Sequence, residues 1–217
     1  MWINKKTEQR VPGSAAIALK HSDEFTHMFF IEKNSRRAER LRSLIHDHNA
    51  DNKASVLIGD CNELMPSILS KIHPSAPTFV FLDPSALQLR WKTIEVLSRW
   101  KTELLILFPL RMAILRLLPT SGQLQEWARE RLNAVFGTNE WEKLYHGRHR
   151  TYVRRDLLKL YTDRLTALGY PYVLKSDIFK SDSGRLLYYL IWVGKHPVGK
   201  KIMDHVFEHQ SPQLKLF

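Results

Sequence analysis

The sequence has little cysteine and no long apolar run, and both absences exclude classes of protein. Its 217 residues contain one cysteine, Cys61, which excludes an internal disulfide and any metal site built only from cysteines of this chain. No stretch approaches the roughly 20 apolar residues that span a bilayer. Residues 1–6 also lack the apolar core of a signal peptide. We therefore expect a cytoplasmic protein without membrane segments.

Common catalytic motifs are missing as well. The sequence contains no G-x-x-x-x-G-K-[ST] phosphate loop and no G-x-S-x-G nucleophile elbow. The ten histidines are scattered along the chain, and His46 and His48 lie on different faces of a predicted helix. The sequence therefore favours neither a metal centre nor a serine hydrolase.

Composition predicts one globular domain with an affinity for polyanions. The chain is 44% hydrophobic and 25% charged, which is enough apolar material for a sizeable core. We expect a single domain over residues 1–217, with an irregular N-terminus at 1–12 and a loosely held tail at 209–217. The net charge of +11 favours a polyanionic partner such as nucleic acid.

Apolar segments alternate with amphipathic helical patterns in the first half of the chain. Strands are predicted at 28–32, 55–60, 79–82 and 103–109, and helices at 36–48 and 91–101. The apolar run at 79–82 predicts a strand buried on both faces. This alternation indicates right-handed βαβ units and a mostly parallel sheet.

The second half predicts helices followed by an antiparallel hairpin. Helices are expected at 112–118, 123–136, 154–168 and 197–207, and the hairpin strands at 172–180 and 186–193. A sheet that is parallel first and ends in a hairpin is typical of the Rossmann-like class I S-adenosylmethionine-dependent methyltransferases. The predicted fold is therefore α/β of this kind.

Acidic residues follow successive predicted strands, at the sheet edge where ligands of open α/β folds bind. Glu32 ends one strand and can accept protons from both ribose hydroxyls of a nucleoside. Asp60, with Cys61 and Asn62, ends the next strand and is placed to bracket an adenine ring and bind its amine. Each carboxylate has a simpler explanation as a helix N-cap or a solvated turn, and that alternative stays open.

The pair Asp83-Pro84 ends the following strand and is the candidate catalytic site. Proline cannot continue the strand ladder, so the Asp83 carboxylate is expected where the strand emerges. Enzymes that methylate exocyclic amines of bases combine such an acid and proline with an aromatic ring that stacks on the base. Here Ser85 and Ala86 stand at the aromatic position.

A dense basic stretch is the candidate nucleic-acid site. Cations interleave with aromatic rings there, as phosphate contact and base stacking together require. The alternative is that these arginines form only the solvated face of the helix predicted at 154–168. The basic residues are Arg148, Arg150, Arg154 and Arg155, and the aromatic ones are Trp141, Tyr145 and Tyr152.

The sequence resembles one family, the three-Cys-motif partner proteins (TcmP) of bacteria and phages. The resemblance covers nearly the whole chain and implies a methyltransferase-like fold, S-adenosylmethionine as cofactor and a three-Cys-motif protein as partner. The matching segments are Gly-Ser-Ala-Ala-Ile-Ala-Leu at 13–19, Phe-Ile-Glu-Lys at 30–33, Gly-Asp-Cys-Asn-Glu at 59–63, Phe-Leu-Asp-Pro at 81–84, Leu-Leu-Ile-Leu-Phe-Pro-Leu at 104–110 and Lys-His-Pro-Val-Gly-Lys-Lys-Ile-Met at 195–203.

The chain departs from this family before its first helix. Members have a strand there that ends in Phe-Ala-Gly-Pro-Gly or a similar turn, whose free amides bind the cofactor. Only residues 1–12 precede the corresponding helix, so the first strand is expected to be absent. Either the chain is a fragment or it has lost the cofactor site. Two functions follow: a methyltransferase acting on nucleic acid or on a partner-presented macromolecule, or a non-catalytic basic binding module.

Overall fold

The computed structural model describes residues 2–3, 10–84, 87–147, 150–181, 183–184 and 186–209. The chain divides into two compact units, residues 1–72 and residues 73–216. Eight α-helices lie within the described residues. The sequence shows no linker at the boundary between the units, and a single domain over the whole chain stays a prediction.

The first unit is built around one parallel βαβ element. Strands β3 and β4 pair in parallel with Glu32 opposite Ile58, and helix α2 connects them. The elements are β1 (Trp2–Ile3), β2 (Arg10–Val11), α1 (Ser14–Leu19), a 3-10 helix (Ser22–Glu24), β3 (Met28–Glu32), α2 (Ser35–Asp47), β4 (Ala54–Ile58) and α3 (Cys61–Leu69).

Apolar spacing explains how this unit packs. Helix α2 begins at Asn34, whose side chain accepts a hydrogen bond from the Arg37 amide at 3.0 Å. Its apolar stripe then turns Ile45 towards the core. The core is formed by Leu19, Ile45, Ala50 and Ala54, with Met28, Phe30, Leu44 and Val56 packed against it.

The N-terminal residues differ in part from the irregular segment that was expected. Trp2–Ile3 and Arg10–Val11 form a two-residue antiparallel pair. Such a pair is far shorter than the five-residue strand β3. The expected loose tail lies outside the described residues, apart from His209, which closes the last helix.

The second unit contains a four-stranded sheet in the order β5-β6-β8-β7. Strands β5 and β6 are parallel, whereas β8 runs antiparallel to both β6 and β7. The elements are β5 (Thr78–Leu82), α4 (Trp91–Ser98), β6 (Thr102–Phe108), a 3-10 helix (Ile114–Arg116), α5 (Glu126–Phe136), α6 (Glu140–Gly147), α7 (Arg150–Ala167), β7 (Tyr172–Lys175), β8 (Tyr189–Gly194) and α8 (Pro197–Glu208).

The expected fold class is confirmed at the level of an α/β protein that combines parallel strand pairs, β3–β4 and β5–β6, with antiparallel strands. The predicted hairpin forms between β7 and β8, where Val173 lies opposite Val193. A further antiparallel bridge joins Lys180 to Leu186. Among the described residues, no helix combines the length and apolar character that crossing a bilayer requires.

The prediction that the strand at 79–82 is buried on both faces is wrong. Phe79 and Phe81 are 50% and 40% exposed, whereas Leu82 is buried. Strand β5 stands at the end of its sheet and is hydrogen-bonded to one neighbour, β6. The two phenylalanines alternate along the strand and therefore lie on the same face.

The predicted helix at 112–118 is replaced by turns and the short 3-10 helix. The amides of Arg111 and Met112 both donate to the Leu187 carbonyl at 3.2 Å. These tertiary hydrogen bonds hold the backbone away from a helical course. Helix α6 was not predicted, and α7 begins at Arg150, before the expected residue 154.

Aromatic rings form the core of the second unit around Tyr161. Phe108 of β6 stacks on Tyr161 with centroids 4.4 Å apart, while Trp91 and Phe136 contact its ring edge-to-face at 5.4 and 6.0 Å. Burial raises the pKa of Tyr161 well above its ordinary value. Helices α4, α5 and α7 thus meet the sheet through one aromatic cluster.

Gly137 ends helix α5 in a left-handed conformation with φ of 64°. Its amide donates to the Asn133 carbonyl at 2.7 Å, and its own carbonyl accepts from Arg164 Nη2 at 3.2 Å. The Arg164 guanidinium also lies 4.7 Å from the centroid of the Trp91 ring. An added Cβ would lie 2.2 Å from Trp91 Cδ1, so two constraints require glycine here.

We expect Gly137→Ala to lower the free energy of unfolding by at least about 2 kcal/mol, combining left-handed strain with overpacking against Trp91. Urea unfolding measures this loss. Gly169→Ala is the matched control, because Gly169 has φ of 91° but open space around its Cβ position. The control should lose only the conformational part, roughly 1–2 kcal/mol. Equal losses in the two variants would contradict a role for the Trp91 contact.

Candidate functional site

The ends of β3 and β4 place two predicted carboxylates at one edge of the first unit. Glu32 is the last residue of β3, and Asp60 follows β4 after Gly59. The Gly59 amide donates to the Glu32 carbonyl at 3.1 Å, so the parallel pairing continues to this point. The structure therefore brings Glu32 and Asp60 together at the carboxyl edge of the strand pair.

Glu32 is half-buried and partly committed to the local turn. Its Oε1 accepts a hydrogen bond from the Asn34 amide at 2.8 Å. Its Oε2 lies 4.0 Å from Arg37 Nη1, and the Arg37 side chain is largely exposed. One carboxylate oxygen thus shapes the turn into α2, while the other faces an exposed cation that a ligand hydroxyl could replace.

Asp60 caps helix α3. Its Oδ1 accepts from the Asn62 amide at 2.9 Å and from Asn62 Nδ2 at 2.7 Å, as an N-cap aspartate does. Its Oδ2 lies 3.5 Å from Lys33 Nζ. The Asn62 amide, followed by its side chain and by Lys33, lowers the pKa of Asp60 below the ordinary value. The carboxylate is therefore ionised at neutral pH.

Cys61 and Asn62 form the first turn of α3 beside Asp60. Cys61 is a partly exposed cysteine, and the Asn62 side chain is engaged by the capping carboxylate. The N-cap explanation left open by the sequence is thus seen directly at Asp60. The hydrogen bonds of this cap involve Asp60 Oδ1, and the other oxygen, Oδ2, faces Lys33.

Lys33 and Arg37 are neighbours of this edge that the sequence reasoning missed. Their side chains are 70% and 67% exposed, and they approach Asp60 and Glu32 respectively. A signal was available, because Lys33 directly follows the acidic end of β3 and Arg37 lies in the first turn of the helix after it. The edge is therefore a mixed cluster of carboxylates and cations.

In the second unit, Asp83 follows β5 as predicted from its proline neighbour. Burial raises the pKa of the Asp83 carboxyl, although solvent contact of the exposed residue limits the rise. Burial, and then the negative charge of Asp83, raise the pKa of the buried Tyr188 to about 12. Asp83 thus lies close enough to Tyr188 to influence its ionisation.

Pro84 lines a small apolar hollow at the carboxyl ends of β5 and β6. Leu87, Leu89, Phe108 and Pro109 share its lining. The space inside the hollow is about 10 Å³, roughly the room of one water molecule and far below the roughly 300–1,000 Å³ of ordinary small-molecule sites. Within the described residues, it does not provide a pocket for a flipped base. Ser85 and Ala86 lie outside the described residues.

The predicted acids therefore fall in different units. Glu32 and Asp60 belong to the first unit, and Asp83 belongs to the second. Each follows the carboxyl end of a parallel strand. A single site that contains all three residues stays a prediction.

The basic stretch is only partly described. Arg148 lies outside the described residues, and Arg150 opens α7 without a described side chain. Arg155 is exposed and lies 5.3 Å from the centroid of the Tyr152 ring, which is itself 50% exposed. Its Nε also donates to Asp156 Oδ1 at 3.2 Å. Arg154, one residue earlier, is partly buried.

Two of the interleaved aromatic residues, Trp141 and Tyr145, pack inward and do not form a stacking surface. Trp141 is fully buried, and its indole donates to Asn133 Oδ1 at 2.8 Å. Tyr145 is half-buried and donates its hydroxyl to the Pro119 carbonyl. Their place on α6, which the sequence did not predict, turns them inward. Tyr152 is the exposed ring of this group.

The described residues contain no group of three or more histidine, cysteine, aspartate or glutamate side chains that could hold a metal ion. No family model, curated protein or solved structure matches the chain.

We expect Asp83→Asn to increase the free energy of unfolding at pH 7. A raised pKa means that the folded state binds this proton more tightly than the unfolded chain, so stability falls as pH rises from the ordinary pKa of 3.8 through the raised value. The gain should vanish well below the ordinary pKa of 3.8, where the carboxyl is protonated in both states. It should be accompanied by a lower pKa of Tyr188.

Urea unfolding between pH 3 and pH 8 measures the gain, and tyrosine absorbance measures the shift at Tyr188. Asp177→Asn removes an exposed carboxylate from the same unit and serves as the control. A stability gain that is equal at pH 3 and pH 7 would show that the change acts through packing and not through the proton.

Proposed function

We propose that the carboxyl edge of β3 and β4 binds a nucleoside, in a protein of the methyltransferase-like kind. The observation behind this proposal is the adjacency of Glu32 and Asp60 at the ends of two parallel strands. Ligands of open α/β sheets bind at this position, and a carboxylate there accepts ribose hydroxyls.

The residues fit the nucleoside half of S-adenosylmethionine. Glu32 Oε2 is the acceptor for the ribose, since Oε1 is used by Asn34. Asp60 Oδ2 is the acceptor for a base amine, since Oδ1 is used by the α3 cap. S-adenosylmethionine would supply an electrophilic methyl group. Asp83, which follows β5 in the second unit, is by itself a candidate for orienting an acceptor nitrogen, with Pro84 fixing the backbone after it.

The strand arrangement supports the same assignment. A parallel sheet that closes with β8 antiparallel between β6 and β7 agrees with what the resemblance to the three-Cys-motif partner proteins implies. The proposed acceptor is nucleic acid or a macromolecule presented by a three-Cys-motif protein. The net charge of +11 favours the nucleic acid.

Residues that would bind the methionine half of the cofactor are fewer than those that would bind the nucleoside half. The sequence from Met1 to Gly13 contains no Gly-x-Gly turn, and such turns supply the amides that bind a cofactor carboxylate. Each absent amide contact removes about 1 kcal/mol. On this proposal the nucleoside supplies most of the affinity, and S-adenosylmethionine binds little better than adenosine.

We expect adenosine and S-adenosylmethionine to bind the purified chain with similar, weak affinity. Calorimetry or ligand-observed NMR compares the two. Glu32→Gln and Asp60→Asn should each lower both affinities about tenfold or more, because a charged acceptor is lost. Asparagine still caps a helix, so Asp60→Asn should leave stability nearly unchanged.

The control is Glu130→Gln, which removes an exposed carboxylate from α5 of the second unit. It should change neither affinity. A micromolar dissociation constant for S-adenosylmethionine would contradict the expectation that its methionine half contributes little to the affinity. Affinities for adenosine that are unchanged in both edge variants would overturn the nucleoside site.

A second candidate function is a non-catalytic basic module that binds nucleic acid or a three-Cys-motif protein. The contact of Arg155 with the exposed Tyr152 ring favours it. An exposed ring with a cation above it suits base stacking next to phosphate contact. This surface belongs to α7 and does not depend on the β3–β4 edge.

We expect Arg154→Ala combined with Arg155→Ala to weaken nucleic-acid binding about equally for unrelated sequences. Binding through phosphates gives a log-log salt slope of about −0.7 to −0.9 per contact, so the double variant should also flatten this slope. Fluorescence anisotropy across a salt titration measures both effects. Arg111→Ala with Arg116→Ala removes two other exposed arginines as the control. If the variant with Arg154→Ala and Arg155→Ala binds nucleic acid with unchanged affinity, these arginines form only the solvated face of α7.

A further inference from the structure

We propose that the uncovered half of the second-unit sheet binds one amphipathic α-helix of another polypeptide, which carries acidic residues on its polar face. The surface, here called the helix slot, lies within the second unit and is independent of the nucleoside site. Its floor is on β5 and β6 and its wall is on α8. The floor consists of Phe79, Phe81, Leu105 and Leu107, and the wall of Val198, Ile202 and Val206.

The two faces of this sheet are covered to different extents. One face of β6 is buried, and its Phe108 stacks on Tyr161. The opposite face carries Leu105, which is half-buried and lies directly across from Phe81 of β5. Side chains of directly paired residues point to the same face, and Phe79 alternates onto it as well. This face is therefore apolar, and over β5 it is open to solvent.

Helix α8 covers the other half of the same face, over β8 and β7. A Cβ on Gly199 would lie 2.5 Å from Glu103 Oε1 of β6, and Glu103 lies directly across from Phe79. The Gly199 side of α8 therefore borders the uncovered strands. Ile202 and Val206 follow Gly199 by three and seven residues and share that side. They are 58% and 42% exposed, so an apolar wall stands next to the floor.

The dimensions of the helix slot fit a single helix. Two neighbouring strands are about 10 Å across, and an α-helix with its side chains is about 10–12 Å in diameter. Strand β6 has seven residues and is therefore about 23 Å long, a length that a helix of about 15 residues spans. Helix α8 already covers two strands of this face, and one helix beside it would complete the layer.

The exposed area favours a helix over a second copy of the chain. The exposed parts of five apolar side chains of the slot amount to on the order of 500 Å². A patch of this size is often functional, but it falls short of the roughly 800 Å² per partner of a stable interface between folded proteins. Two copies would also each bring a charge of +11, which opposes their association. The five residues are Phe79, Phe81, Val198, Ile202 and Val206.

Charges around the helix slot define the polar face of the bound helix. The floor is uncharged, because Glu103 lies beneath α8 and Asp83 follows the end of β5. Lys201 is exposed one turn after Val198 on α8, and no ion pair within the described residues engages it. Together with the net charge of +11, this cation favours glutamate and aspartate on the flank of the helix that faces α8.

Selection of a display library of random 16-residue peptides against the purified chain tests the proposal. We expect the enriched sequences to have apolar residues at i, i+3, i+4 and i+7 and acidic residues between them. Fluorescence anisotropy then measures the affinity of the most enriched peptide. Phe79→Thr with Phe81→Thr should weaken binding at least about tenfold, because buried apolar area is lost. Val198→Gln with Ile202→Gln should have a similar effect.

Both variants are chosen to keep the fold. Threonine has a high strand propensity, glutamine has a high helix propensity, and the replaced side chains are exposed. Lys201→Gln should lower the affinity about two- to fivefold, as the loss of an exposed ion pair predicts. Ile17→Gln with Phe25→Gln removes two apolar side chains of the first unit that are 41% and 39% exposed. This control should leave the affinity unchanged.

Three results would overturn the inference. The first is a selection that enriches no sequence, or enriches sequences with the alternating apolar pattern of a strand. The second is a peptide affinity that is unchanged in both the floor variant and the wall variant. The third is a dimer, seen by analytical ultracentrifugation, that Phe79→Thr with Phe81→Thr dissociates, because a second copy would then occupy the slot.

Discussion

The hydrogen bond from the Gly59 amide to the Glu32 carbonyl ties the end of β3 to the end of β4. Gly59 has φ of 155°, and a Cβ at this position would lie 2.9 Å from Leu64 Cδ1. Glycine therefore lets the chain leave β4, pass close to α3 and present Asp60 as its cap. The spacing of the two carboxylates depends on this backbone arrangement, and the nucleoside proposal depends on that spacing.

Strands with strong apolar runs could be predicted from the sequence, because their pattern is local. The strands predicted at 28–32 and 103–109 and the predicted C-terminal hairpin agree with the structure to within a few residues. Helix α3 was not predicted, since Pro66 interrupts its pattern, although the helix forms once Asp60 caps it. The helix predicted at 112–118 does not form although its sequence pattern is helical. The hydrogen bonds from Arg111 and Met112 to the Leu187 carbonyl hold the backbone in a different conformation. The prediction that the strand at 79–82 is buried on both faces failed because sequence does not reveal which face of a strand is left uncovered by other elements.

Site residues were predictable when they followed a strand and unpredictable when a neighbour decided their role. Glu32 and Asp60 were found from strand ends alone. Their approach to Arg37 and Lys33 depends on side-chain directions that spacing does not fix. Trp141 and Tyr145 were predicted to stack on bases because they precede arginines in the sequence. In the structure both rings pack inward instead. Asp83 belongs to the second unit, whereas Glu32 and Asp60 belong to the first. No local sequence pattern contains information that relates residues of different units.

The exposed end of the second sheet has a consequence for behaviour in solution. Strand β5 presents Phe79 and Phe81 to solvent on a strand that contains no charge and no proline, and natural edge strands usually contain one of these to prevent pairing with other chains. What opposes such pairing here is the charge of the whole molecule, +11, whose repulsion weakens as salt shortens the Debye length from about 30 Å at 0.01 M to about 8 Å at physiological ionic strength. We therefore expect the colloidal stability of this protein to fall as ionic strength rises, because screening by salt or by a neutralising polyanion lets strand edges approach one another.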